Sequence, residues 1–260
     1  MKSLVGATDI LFITLDTLRY DAAQDAWERG DLVTLAPYLG KLGWEKRHTP
    51  ASFTYAAHHA FFAGFLPTPK SAGQHPRRFA AQFAGSVSIT EDTFVFEQAT
   101  LPEALSVRGY HTICIGGTGF FNQQSALSRV LPRLFDEAHW DAELGVTCPT
   151  STENQVARSI RSINDAAEKR IFLFINISAI HQPNWFHGAD EGPDTLATHA
   201  AALAAVDRAL KPLLDRMKSR APTFAMICSD HGTAYGEDGY LGHRIGHEVV
   251  WNVPYAEFML

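Results

Sequence analysis

The feature that most narrows the fold is a set of short runs in which almost every residue is apolar. They are Ile10–Leu15, His111–Ile115, Ile171–Ile177, Thr223–Cys228 and Val249–Tyr255. A strand with one wet face alternates apolar and polar residues. Runs without that alternation belong to strands covered on both faces, as in a mostly parallel sheet. Between the runs lie stretches with helical spacing, around Thr34–Leu42, Tyr55–Ala63, Leu101–Arg108, Glu153–Ala167 and Thr195–Arg220. In the last of these, Leu203, Val206, Leu210, Leu213, Leu214 and Met217 make a core-facing stripe, and Pro212 is expected to kink it. Thr150 and Glu153 have the spacing of a capping box at the start of the fourth. Strands and helices in this alternation make an α/β three-layer sandwich with a mostly parallel central sheet and right-handed crossovers.

A chain of 260 residues can bury one full-sized core, and residues 1–260 read as a single domain. The segment 67–93, rich in Gly, Pro, Ser and charge, reads as a long loop within it. The net charge of -6 argues against nucleic acid, whose binders carry a basic surplus; Lys70, Arg77 and Arg78 are a short, interrupted cluster. No apolar stretch reaches the roughly 20 residues that span a bilayer, so no membrane association is expected. The run from Ile10 to Leu15 is too short for a signal peptide, and three cysteines without a C-x-x-C pair suit a reducing compartment. The expected location is therefore the cytoplasm.

Three places carry chemistry. Asp16 follows the first apolar run, at the carboxyl end of a strand, where open α/β sheets bind ligands. Taken alone it could equally cap a turn. Thr54 opens the Ala-rich segment that closes at Gly64, and as an N-cap its hydroxyl would sit at the positive end of a helix, where phosphate is also welcome. A Thr hydroxyl needs a base or a metal before it can attack. Asp230 and His231 follow the buried run Thr223–Cys228 and offer a hard oxygen and an imidazole nitrogen, donors that suit zinc or manganese. His181, after the run Ile171–Ile177, and the pair His243 and His247 could line the same end of the sheet as phosphate contacts or as ligands of a second ion. Gly116-Gly117-Thr118-Gly119 follows a strand but lacks the spacing of a dinucleotide loop.

These segments together resemble the alkaline phosphatase superfamily, in its sulfatase and phosphoethanolamine-transferase-like branch, over Asp9 to Pro254. The resemblance rests on the apolar strand before Asp16-Thr17-Leu18-Arg19, on Thr54-x-x-x-His58, on Leu101–Thr112 and above all on Ser229-Asp230-His231-Gly232. It implies an alkaline-phosphatase-like sandwich, here with a minimal C-terminal part. It implies too a divalent metal, zinc or manganese as one or two ions, held by Asp16, Thr54, Asp230 and His231. Thr54 would then be both ligand and nucleophile, and His181 and His243 would lie near the transferred group. The chain departs from the sulfatases, because no Cys or Ser stands in the C/S-x-P-x-R motif that yields formylglycine; Cys148 precedes Pro-Thr-Ser-Thr. The reading that follows is a metal-dependent hydrolase of small phosphate esters working through a phospho-Thr54 enzyme, with sulfated substrates behind phosphorylated ones. Its alternatives are transfer to an acceptor alcohol, a sulfatase-like hydrolase without formylglycine, and a phospho-ligand-binding protein without activity.

Overall fold

The computed structural model describes residues 3–64, 99–166, 168–188 and 192–260. In chain order the elements are β1 (Asp9–Leu15), α1 (Tyr20–Glu28), β2 (Glu45–His48), α2 (Thr54–Ala63), α3 (Leu101–Val107), β3 (His111–Ile115), β4 (Glu137–His139), α4 (Ser151–Asp165), β5 (Ile171–Ile177), α5 (Leu196–Arg220), β6 (Thr223–Cys228), β7 (Ala234–Tyr235), β8 (Leu241–Gly242), α6 (Glu248–Trp251) and β9 (Asn252–Met259). The expected long loop at 67–93 lies outside the described residues.

Seven strands form one sheet in the order β2-β9-β6-β1-β5-β3-β4. From β6 to β4 the pairings are parallel, whereas β9 runs antiparallel to β6 and β2 antiparallel to β9. The alternation of side chains along the strands explains why the apolar runs have no polar face. On β1, Leu11, Ile13 and Leu15 join Leu173, Ile175 and Ile177 of β5 in a cluster with the apolar stripes of α1, α4 and α5. Ile10 and Phe12, with Phe172 and Phe174, point the other way, toward Phe62 of α2 and Leu105 of α3. Two covered faces make three layers, as the apolar runs require.

Position 14 of β1 and position 176 of β5 belong to the second set by alternation, yet they hold Thr14 and Asn176, both fully buried. Polar residues on the α2 face at the carboxyl ends of the two central strands mark where the core gives way to a site.

Several expectations change in detail. The stretch Thr34–Leu42 is not a helix; it makes one 3-10 turn at Ala36–Tyr38, with Gly40 and Gly43 joined in a bridge beyond it. Glycines here weaken a helix, and no strong apolar stripe repays the cost. The expected strand Val249–Tyr255 begins instead as the short helix α6, and the strand proper is β9, antiparallel. The helix α1 carried too little apolar periodicity to be read, since its buried face is made of Ala22, Ala23 and Ala26. Thr150 makes no capping bond to its helix; the reciprocal pattern occurs at Thr100 with Glu103, whose carboxylate accepts from the Thr100 N–H at 2.9 Å. The helix α5 continues through Pro212 as a single element, with its predicted stripe buried.

Candidate metal centre

Asp16, Thr54, Asp230 and His231, from three elements far apart in sequence, meet at the carboxyl edge of the sheet and are all buried. Thr54 Oγ1 lies 3.2 Å from His231 Nε2 and 3.4 Å from Asp16 Oδ2. His231 Nε2 lies 3.6 Å from Asp230 Oδ2 and 4.0 Å from Asp16 Oδ1. Among the described residues, Asp16, Asp230 and His231 are the group of acidic, His or Cys side chains whose donor atoms converge closely enough for one ion.

Each carboxylate has one oxygen tied down and one left over. Asp230 Oδ1 accepts from the backbone N–H of His231 at 3.0 Å and of Thr17 at 3.2 Å. Asp16 Oδ2 accepts from Asn176 Nδ2 at 3.0 Å. Asp16 Oδ1 and Asp230 Oδ2 are buried without a hydrogen-bond partner. Orphaned buried acceptors are costly, and two of them facing one imidazole nitrogen make a cradle that could hold a cation. His231 is prepared for the same task. Its Nδ1 lies 2.8 Å from the Gly232 carbonyl and so carries the proton, which leaves the Nε2 lone pair directed at the cluster.

The titration behaviour agrees with this donor set. Burial, and then the charge of Asp230, raises the Asp16 pKa to about 6. Burial raises that of Asp230 to about 7. Burial also holds His231 below the usual histidine range, so it is neutral, the form that binds metals. Two buried carboxylates side by side resist ionisation, and a cation held between them would offset both the burial and the repulsion.

Thr54 is the first residue of α2 and not its N-cap, a position taken by Phe53 in extended conformation. That corrects the expectation of a capping Thr and frees the hydroxyl: it faces Asp16 and His231 and not the backbone of its own helix. The helix ends as expected, on Gly64 with φ of 73°.

What aims Thr54 is a chain of hydrogen bonds that sequence reasoning did not assemble. Asn176 Nδ2 donates to Thr14 Oγ1 at 3.4 Å, and Thr14 Oγ1 donates to His58 Nε2 at 2.9 Å. His58 Nδ1 donates to the Thr54 carbonyl at 2.7 Å. The directions are mutually consistent only for a neutral His58, and burial among Phe61, Phe62, Phe121 and Phe174 drives its pKa down to about 3. The one available signal was polar residues at the ends of strand alternations: Phe12 then Thr14, and Phe174 then Asn176. Gly117 belongs to the same support, because a Cβ there would stand 2.3 Å from the Asn176 carbonyl oxygen, and the next residue, Thr118, donates from both N and Oγ1 to Asn176 Oδ1. The glycine-rich segment is thus a close-packing device.

His181 and His243 do reach the centre. The His243 ring lies 4.6 Å from that of His231 and 5.9 Å from that of His181, centroid to centroid. Burial, followed by the neighbouring His231 and His181, lowers the His243 pKa to about 3. His181 Nδ1 is engaged by the Gln182 carbonyl at 2.5 Å, so its Nε2 remains available. His247 is employed otherwise. Its Nδ1 accepts from the Val249 N–H at the start of α6, and its Nε2 lies 3.2 Å from Asp238 Oδ2. Both ring nitrogens are therefore spent on holding the loop. Arg19, too, is structural, paired with Asp21 and Glu237.

A hydroxyl set between two half-satisfied carboxylates and a neutral imidazole lies at the carboxyl edge of a mostly parallel sheet, and that sheet has the fold of the alkaline phosphatase superfamily. Within it the chain belongs to the Sulfatase family, whose profile matches residues 8–256. The fold is similar to the C-terminal periplasmic domain of phosphoethanolamine transferase EptC from Campylobacter jejuni, at 13% identity and a TM-score of 0.61, over 97% of this chain and 80% of that one. It is similar also to the integral membrane lipooligosaccharide phosphoethanolamine transferase A from Neisseria meningitidis, at 13% identity and a TM-score of 0.65. That match covers 97% of this chain but 48% of the other, so this chain spans about half its length. The lipoteichoic acid synthase LtaP from Listeria monocytogenes matches at 11% identity with a TM-score of 0.63, over 98% and 66% of the two chains. No curated protein sequence matches the chain significantly. Among the described residues no helix is long and apolar enough to cross a membrane.

Proposed function

We propose that this protein is an enzyme that cleaves small phosphate esters with a divalent metal, zinc or manganese as one or two ions, and with Thr54 as its nucleophile. The observation that carries the reading is the convergence of Thr54 Oγ1 with the two orphaned carboxylate oxygens and the free Nε2 of His231. A divalent cation held by Asp16, Asp230 and His231 would supply the positive charge that favours an alkoxide over a hydroxyl. Thr54 Oγ1 then attacks phosphorus in line with the leaving oxygen, and the P–O bond to that oxygen breaks as the new one forms. The hydroxyl proton passes to solvent, the leaving oxygen takes one up to depart as the alcohol, and a phospho-Thr54 ester remains. Water releases phosphate and restores the hydroxyl. His58 fixes the Thr54 carbonyl, and hence the angle of attack. His181 and His243 would line the place of the non-bridging oxygens or of a second ion, a protonated ring nitrogen donating to an oxygen and a lone pair binding the ion. Phosphorylated substrates stand ahead of sulfated ones because Thr54 cannot become formylglycine.

A second reading, transfer of the phosphoryl group from Thr54 to an acceptor alcohol, draws support from the phosphoethanolamine transferases among the structural neighbours. A cytoplasmic location is also proposed, supported by three cysteines that remain free thiols. Thr54→Ala is expected to lower turnover of 4-nitrophenyl phosphate by about a thousandfold or more, with the unfolding midpoint nearly unchanged. Chelation should do the same reversibly. Undiminished turnover in the variant rejects the nucleophile, and activity that survives exhaustive chelation rejects the metal. An added acceptor alcohol that converts released phosphate into a new ester favours transfer over hydrolysis.

A further inference from the structure

Arg244 follows His243 in the loop that brings a histidine ring against His231. Its backbone has φ of 70°, the left-handed region that glycine tolerates and side chains rarely occupy, between Gly242 and Gly246. The strain is held in place by a hydrogen bond from the Arg244 N–H to the Ser52 carbonyl, at 2.9 Å, two residues before Thr54. Strained residues of this kind persist where the surrounding structure imposes them, and they cluster at functional sites. The side chain itself is exposed, and among the described residues its guanidinium has neither a hydrogen bond nor an ion pair. The preceding residue, His243, has its ring 4.6 Å from that of His231, so the Arg244 side chain starts from the edge of the centre.

Two acidic residues of the same rim are already occupied. Glu237 is paired with Arg19, and Asp238 with His247. Among the described residues the guanidinium of Arg244 is thus without an ion-pair partner, at the outer edge of a centre whose inner positions are filled by Asp16, Thr54, Asp230, His181, His231 and His243. A rim cation meets the part of a substrate that points to solvent, not the group being transferred. We propose that Arg244 is a specificity-determining residue, which selects phosphate esters whose non-reacting part carries a second negative charge such as a carboxylate or another phosphate. This rests on the phosphate-ester reading of the centre.

The test is calorimetric titration of the metal-loaded protein with non-hydrolysable phosphonates: phenylphosphonate against its 3- and 4-carboxy derivatives. The wild type is expected to bind one carboxy isomer about fivefold more tightly than the parent compound, as for a partly exposed charge pair. That ratio should fall to about one in Arg244→Gly and below one in Arg244→Glu, and survive in Arg244→Lys. Because glycine suits the left-handed backbone, Arg244→Gly should unfold at a midpoint equal to or above that of the wild type. Equal binding of all three phosphonates by the wild type, or a preference that survives in Arg244→Gly, overturns this inference alone. A lowered midpoint with unchanged preference assigns Arg244 a structural role and overturns it too. If no phosphonate binds at all, the phosphate-ester reading fails, and this inference with it.

Discussion

Asn176 touches neither of the orphaned oxygens, yet its one amide serves three partners at the centre. It donates to Asp16 Oδ2 and to Thr14 Oγ1, and it accepts from Thr118. Replacing it with a leucine of similar size would leave Asp16 Oδ2 with only the longer contact from Thr54 Oγ1 and the buried Thr118 N–H unsatisfied. Asn176→Leu is therefore expected to cost about 2–4 kcal/mol in urea unfolding. Outer partners of this kind orient the ligands they bond, so divalent-metal affinity should also fall by about 10–100-fold. Wild-type affinity in a folded Asn176→Leu protein would remove Asn176 from the support of the site. The contrast with Asp16 is instructive. Asp16 was legible because an ionisable residue directly after an apolar strand is unusual wherever it occurs. Asn176, inside the buried run of β5, has no such chemistry of its own, and its meaning depends on the register of β1 with β5, which sets it opposite Thr14 and within hydrogen-bond reach of Asp16.

At the scale of elements, the loop after β6 is held by backbone contact with α6. Gly232 donates to the Val250 carbonyl at 2.7 Å, and a Cβ at Gly232 would stand 1.9 Å from the Val249 carbonyl oxygen. No side-chain rotation relieves a clash with backbone, so α6 and the loop must separate. Gly232→Ala is expected to destabilise the fold by about 3 kcal/mol and to weaken metal binding through the displaced His231. Denaturant unfolding together with a metal titration measures both; a fully stable variant with normal metal binding would contradict the packing described. The parallel strands β1, β3, β5 and β6 were readable because burial on both faces leaves apolar runs that nothing else explains. The helix α1 and the short strands β2 and β4 were not. Alanines bury α1 without a visible stripe, and β2, with all four residues exposed, has no apolar pattern to detect. Thr54 was likewise placed on the right helix but one position early, because the extended residue before a helix is chosen by backbone geometry and not by a side-chain preference.

For the whole molecule, the raised carboxylates link stability to pH and metal. The folded pKa values of Asp16 and Asp230, about 6 and about 7, lie above the unfolded value of about 4. Between these limits the folded state holds protons that the unfolded chain has released. Stability from this pair is thus fully present below pH ~4 and is lost as pH rises through ~6 to ~7. A metal-free protein should show that loss, and an Asp16→Asn, Asp230→Asn double variant should not. Metal competes with the same protons, so zinc or manganese should raise the unfolding midpoint more at pH 8 than at pH 5 and release protons on binding near pH 6. A larger metal shift at the lower pH would contradict the assignment of both carboxylates as ligands.

The sequence by itself determined the layered α/β architecture, the strand ends that carry Asp16 and Asp230, and the presence of Thr54, His181, His231 and His243 in segments that could meet. These follow from local facts: apolar runs, residue chemistry and the position of each residue along its own element. Only the tertiary structure decided which oxygen of each carboxylate is left free, that His58 bonds the Thr54 carbonyl and Asn176 bonds Asp16, that His247 caps a helix, and that Arg19 is paired while Arg244 is not. Those outcomes depend on hydrogen bonds between residues such as Thr14 and Asn176, which are 162 positions apart. Strand register and loop packing set such pairs, and neither is written in the residues on one side of the contact.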